Sequence, residues 1–162
     1  MATALSDDNG QVLLSPWKGP FGGLPPFADV KVSDFRPALL RGIDENRKQI
    51  LALANCSAPP TFDNTIAALE NSGRLLDRVL RVYSIWSGTM SSADFQTLEQ
   101  EMAPRLAGFN DEIMQNENLF RRIEAVYRSP EYASLNKEQQ RLAWKYATDF
   151  IRAGAQLDAV KQ

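Results

Sequence analysis

The chain has 162 residues with no histidine, one cysteine and a net charge of −2. That composition excludes a His-based serine or cysteine triad and an ordinary zinc site. It also excludes an internal disulfide and, with no Lys/Arg block along the chain, nucleic-acid binding by phosphate neutralisation. An apolar fraction of 44% and a charged fraction of 23% are those of a soluble domain able to bury one core. The first residues carry Asp7 and Asp8 and no base, the wrong charge for a secretory leader. No apolar run approaches the ~20 residues that span a bilayer. A cytoplasmic protein without a membrane or nucleic-acid partner is expected.

Residues 1–32 read as an extended arm packed on the helices. Gly19, Pro20, Gly22, Gly23, Pro25 and Pro26 oppose a helix there, while Trp17, Phe21, Leu24, Phe27 and Val30 offer apolar anchors. Gly19–Gly23 lacks the Lys-Ser/Thr and the preceding strand of a phosphate loop, so it reads as part of the arm. Residues 33–162 read as one helical domain.

A first helix is expected from Ser33, a favourable N-cap, with Asp34 suiting its dipole and Pro37 early enough to be tolerated. Leu39, Leu40, Ile43, Ile50, Leu53 and Ala54 make its apolar stripe, and residues 55–60 end it. A second helix, capped by Thr61 or Asp63, carries the seam Phe62, Ile66, Leu69, Leu76, Leu80, Tyr83 and Met90. A second stripe, Leu75, Val79, Val82 and Trp86, lies beside that seam. Gly73 weakens this helix or admits another backbone.

Ser91 or Ser92 caps a third helix, buried through Phe95, Leu98, Met102, Leu106, Phe109 and Ile113, with a kink expected at Pro104. After a break at Asn116–Asn118, a short fourth helix uses Leu119, Phe120, Ile123, Val126 and Tyr127. A fifth begins at Asn136, with Gln139 in a capping-box arrangement. It buries Leu142, Tyr146, Phe150, Ala153, Leu157 and Val160 and is expected to run on to Gln162. With no period-two alternation, the class is all-α: about five mostly antiparallel helices in a bundle.

Several runs in this order resemble a known family. They are Leu24-Pro25-Pro26-Phe27, Phe35-Arg36-Pro37-Ala38, Pro60–Glu70, Leu98–Pro104 and Asp149–Ala155. Together they resemble the N-terminal region of the thimet oligopeptidase and peptidyl-dipeptidase family of zinc metallopeptidases, which includes dipeptidyl carboxypeptidase and oligopeptidase A. The resemblance implies a largely helical enzyme of two lobes facing a channel, cleaving short peptides. Zinc is then held in the second lobe by an H-E-x-x-H helix and a later Glu. No residue of this chain matches those ligands or the water-activating Glu, so no catalytic, cofactor-binding or metal-binding residue is assigned. The implied partners are the parent's catalytic lobe and, for the parent, peptide substrates. Self-association through an exposed apolar face is a further expectation. The alternative is an independent helical module that binds a peptide or partner helix.

The remaining polar groups read as surface or core. The pairs Asp44/Glu45, Asp111/Glu112 and Glu99/Glu101 lie on polar helix faces rather than in a shared pocket. Cys56, without a base, reads as a structural thiol. Trp86, Tyr83, Trp144 and Tyr146 read as core rather than as a peptide groove. Arg74, Arg78 and Arg81 are expected to face the acidic surface of the third helix rather than a substrate carboxylate.

Overall fold

A computed structural model describes residues 10–18 and 23–154. Eight α-helical segments run along them: α1 (Gln11–Leu14), α2 (Val32–Ala54), α3 (Ala68–Glu70), α4 (Arg74–Thr89), α5 (Ala93–Met114), α6 (Glu117–Tyr127), α7 (Pro130–Ser134) and α8 (Lys137–Arg152). A π-helical turn, Phe62–Ala67, leads directly into α3. The described residues contain no strand, only an isolated bridge between Lys18 and Leu24. The chain is all-α, as the hydrophobic periods require. It divides into two compact units, Met1–Asn46 with Gly73–Leu106 and Arg47–Ser72 with Ala107–Gln162.

In the first unit α2 begins at Val32, so Ser33, the expected N-cap, lies inside the helix. The Asp34 carboxylate accepts the Lys31 N–H at 2.7 Å while Lys31 O accepts the Asp34 N–H at 3.0 Å, so Asp34 closes the turn by reaching back. Phe35 is fully buried. Its ring packs edge-on to Tyr83, Trp86 and Phe95 with centroids 5.4 to 5.8 Å apart, a favoured aromatic geometry. Leu39, Val79, Val82 and Met102 complete this core. Gly42 carries no side chain for a steric reason. A Cβ there would lie 3.0 Å from the Leu76 Cα, so this glycine, rather than Gly73, admits a neighbouring helix backbone.

The expected second helix is two pieces. Gly73 takes φ 72°, a left-handed conformation, and stands as the N-cap of α4. A helix cannot continue through that conformation, and glycine adopts it at little cost. The interruption resets the helical phase. Beyond it the buried face is Leu76 of the main seam with Val79, Val82 and Trp86 of the second stripe, while Leu75 is half-buried. Met90, placed on the main seam, is 49% exposed.

Of the arm, α1 buries Leu13 and Leu14, and Val30 is buried, but Leu24 is 69% exposed and anchors nothing. Phe21 and the Gly19–Gly22 stretch lie outside the described residues. Ser92 caps α5, its Oγ accepting the Phe95 N–H at 3.3 Å. Pro104 sits within the helix.

The second unit forms around Ile50, Phe62, Ile66, Leu119, Ile123, Val126, Ala147 and Phe150. Asn116 caps α6 through the Leu119 N–H at 2.9 Å. The expected capping box at α8 is present: Asn136 and Gln139 exchange side chain-to-backbone bonds of 3.0 and 3.1 Å. The turn α7 has no forecast in the periodicity, being only one turn long with Pro130 at its start. The Gln140 amide stitches it to α8 by donating to the carbonyls of Tyr132 and Leu135 at 3.1 and 3.0 Å.

Two expectations for α8 fail. The helix stops at Arg152, and Gly154, at φ 95°, supplies the left-handed residue that ends it. Ala153 is exposed, and Leu157 and Val160 lie outside the described residues. The buried face is Ala143, Ala147 and Phe150, with Leu142 and Tyr146 half-buried beside it.

Candidate functional site

The run Pro60–Glu70, which carries much of the resemblance, is the most densely hydrogen-bonded polar region described. Thr61 is the N-cap: its hydroxyl accepts the Asn64 N–H at 3.2 Å, and the Asn64 side-chain oxygen accepts the Thr61 N–H at 2.9 Å. Asn64 also donates through Nδ2 to Pro59 O at 2.9 Å and accepts from the Thr65 hydroxyl at 2.8 Å. One asparagine thus closes the entry to the π-helical turn on both sides, a capping box with Asn in the usual Glu/Gln place.

Arg122 of α6 completes this arrangement. It is the only buried charged side chain among the described residues, 7% exposed. Nη1 donates to Cys56 O at 2.7 Å and Ala58 O at 2.9 Å. Nη2 donates to Asn64 Oδ1 at 3.0 Å and Thr65 Oγ1 at 3.2 Å. Nε has no protein acceptor. All four acceptors are neutral. The cation is compensated by aligned carbonyls just past the end of α2, a helix with no basic residue in its own last turn. A positive charge is favoured at that end by the helix dipole, and a forked, permanently charged guanidinium can reach four acceptors at once. Arg122 went unsingled in the sequence because a lone Arg between Arg121 and Ile123 carries no local signal. Its place on the buried side of α6, beside Leu119 and Ile123, was the available clue.

The carboxylates are not paired with one another. Asp44, Glu45, Asp111 and Glu112 are exposed. Glu101 accepts from Arg36 Nε at 2.9 Å, with Arg105 Nη2 3.7 Å away. Arg47 grips Glu112 in a fork, with N–O distances of 2.8 to 3.0 Å. Those hydrogen bonds, helped by the nearby positive charge and opposed by slight burial, hold the Glu112 carboxyl below the usual carboxylate range. Glu99 accepts from the Ser87 hydroxyl. Burial, and secondarily the Glu99 charge, push the Tyr83 hydroxyl above its ordinary value, which keeps it a neutral phenol.

Arg78 does not face the acidic surface of α5. Its Nη1 donates to Leu14 O at 2.8 Å, tying α4 to α1. Trp86 is buried and Tyr83 half-buried in the aromatic cluster, as expected, and Tyr146 is half-buried with its hydroxyl donating to Glu70. Trp144 contradicts the core reading, with 48% of its surface exposed.

The described residues line several open grooves, two of which bear on the sequence reading. One, of about 570 Å³, lies between α2 and α5 and includes Pro37, Leu40, Leu98 and the Arg36–Glu101 pair. The other, of about 360 Å³, includes Leu53, Cys56, Ala68 and Asn71. Cys56 is a free, half-buried thiol, with no histidine anywhere to activate it. Among the described residues no three His, Cys, Asp or Glu side chains converge as metal ligands. Among the described residues no set supplies the three protein ligands and open position of a catalytic zinc site.

No family model matches the chain. It is 35% identical over 133 residues to the dipeptidyl carboxypeptidases of Salmonella typhimurium and of Escherichia coli, covering 82% of this chain and 20% of each relative. With oligopeptidase A of Escherichia coli it shares 23% identity over 150 residues, 93% of this chain and 21% of the relative. The chain thus spans about one fifth of the length of the curated relatives it matches. The homologues of this chain are dipeptidyl carboxypeptidases and oligopeptidase A, and it is similar to about one fifth of each.

Proposed function

We propose that this chain is the N-terminal helical region of a zinc metallopeptidase that cleaves short peptides, and that it acts there as a scaffold without catalytic groups of its own. Zinc and the water-activating residue then belong to a catalytic lobe outside these residues, and that lobe is the chain's partner. Peptides are substrates of the parent, whose place of action is the cytoplasm. The observation that carries the reading is the combination of homology over most of this chain with one fifth of each relative. The chemistry agrees: the residues with the richest hydrogen bonding, Arg122, Asn64 and Thr61, hold backbone rather than a reacting group.

No helix described is long and apolar enough to cross a membrane. Reading the gene downstream in the same frame tests the proposal. The expected result is an H-E-x-x-H codon run followed by a Glu. A frame that carries the rest of the homologous length without that run would remove the peptidase parentage.

The other reading, an independent helical module, predicts a polar exterior. Leu51, Ile85 and Met90 are 45% to 49% exposed, single apolar side chains of a kind ordinary on any surface, so exposure alone does not separate the two readings. Sedimentation across a concentration series separates the two: open-ended association of the isolated chain supports the scaffold reading, and a clean monomer supports the module.

A further inference from the structure

Helix α8 buries Phe150 but does not bury all of its large apolar side chains. It turns Ala143 and Ala147 towards the core and leaves Trp144 and Ile151 outside, 48% and 41% exposed. Single exposed hydrophobics are ordinary. These two are seven positions apart, two helical turns, so they stand on one line. The line extends through Lys137, Arg141 and Thr148, with spacings of four, three, four and three residues, and its first two members are exposed cations. Lys145 and Arg152 flank it. The opposing acids on α8 are Glu138 and Asp149, and Asp149 is engaged by Lys145 at 2.7 Å. On a chain of net charge −2, this face is basic at one end and apolar at the other.

We propose that the outer face of α8 docks an amphipathic helix bearing carboxylates, with its acidic end over Lys137 and Arg141 and its aliphatic side chains over Trp144 and Ile151. The stripe is straight and about 21 Å long at 1.5 Å per residue, which a partner helix of about four turns covers. Complementary charge at one end sets the partner's direction, and burial of the indole and isoleucine supplies the attraction. Side chains at three-and-four spacing on a partner helix fall on one such line.

The test uses the 162-residue chain and two labelled synthetic helices of roughly 18 residues. Both carry leucines at three-and-four spacing; one has Glu at the flanking positions and the other has Lys. Fluorescence anisotropy is followed as the chain is titrated in low salt. The expected result is binding of the Glu peptide with a Kd near or below about 0.1 mM, at least tenfold tighter than the Lys peptide. The double variant Trp144→Ala/Ile151→Ala and the single variant Arg141→Glu should each weaken it at least tenfold while leaving the circular dichroism spectrum unchanged. Equal binding of the two peptides, no binding at millimolar chain, or indifference to these exposed substitutions would overturn the proposal. So would a defined dimer of the chain that the Trp144/Ile151 variant abolishes, because the face would then belong to a second copy.

Discussion

Arg122 shows how one buried cation can be tolerated without a carboxylate. Its four acceptors are two loop carbonyls, an amide oxygen and a hydroxyl, and hydrogen bonds to a charged group are worth about 1.5–3 kcal/mol each before the cost of burial. Replacing it by Met removes this donor from the Cys56 and Ala58 carbonyls and from the Thr65 hydroxyl, while Asn64 Oδ1 keeps the Thr61 N–H and the Thr65 hydroxyl. Arg122→Met is expected to destabilise the chain by about 2–4 kcal/mol, seen as a lower midpoint in urea unfolding. Arg122→Lys should recover little, because a single ammonium cannot span both Nη positions.

The Arg47–Glu112 pair is a contrasting case, with both side chains more than a third exposed. Solvent screening limits it to about 1 kcal/mol or less. Glu112 titrates lower in the folded chain than unfolded, so its contribution is present above the unfolded carboxylate range and is lost as pH falls through the depressed folded value. Arg47→Gln should therefore cost stability at pH 7, and the difference from the parent chain should shrink towards zero under acid, measured by urea unfolding at stepped pH.

Among the elements, the glycines separate fold from propensity. Gly88 lies in α4 with nothing within 4 Å of an added Cβ, whereas a Cβ at Gly42 would meet the Leu76 backbone at 3.0 Å. Ala is the better helix former at both positions by about 1 kcal/mol. Gly88→Ala should raise stability by about 0.5–1 kcal/mol, while Gly42→Ala should lower it by about 1–3 kcal/mol through overpacking. Thermal unfolding of the two variants side by side reads the contrast as shifts of opposite sign.

The same elements show what was legible in the residues. Asn136 with Gln139, Ser92 ahead of Phe95, and the stripe Phe95–Leu98–Met102 are local patterns, and each is realised. Gly73 reads from the sequence as a weak point or a close-approach site inside one helix, because periodicity on either side of it nearly matches. Only the left-handed φ shows that the phase restarts there. The outward Trp144 was read as core because a helical stripe does not say which of its faces has a neighbour. Arg122 depends on acceptors 57 to 66 positions away, a relation that no window along the chain contains.

At the scale of the whole molecule, the chain has well-formed helices, two apolar cores and no convergent reactive groups among its described residues. The region is similar to one fifth of its relatives at 35% identity, and its densest hydrogen bonding closes caps and loops. The central claim is that these residues support catalysis performed elsewhere. Its most direct test is to incubate the purified 162-residue chain with short peptides and added zinc and follow cleavage by mass spectrometry. The account predicts intact peptides at every time point; hydrolysis that co-purifies with the chain and stops on chelation would contradict it.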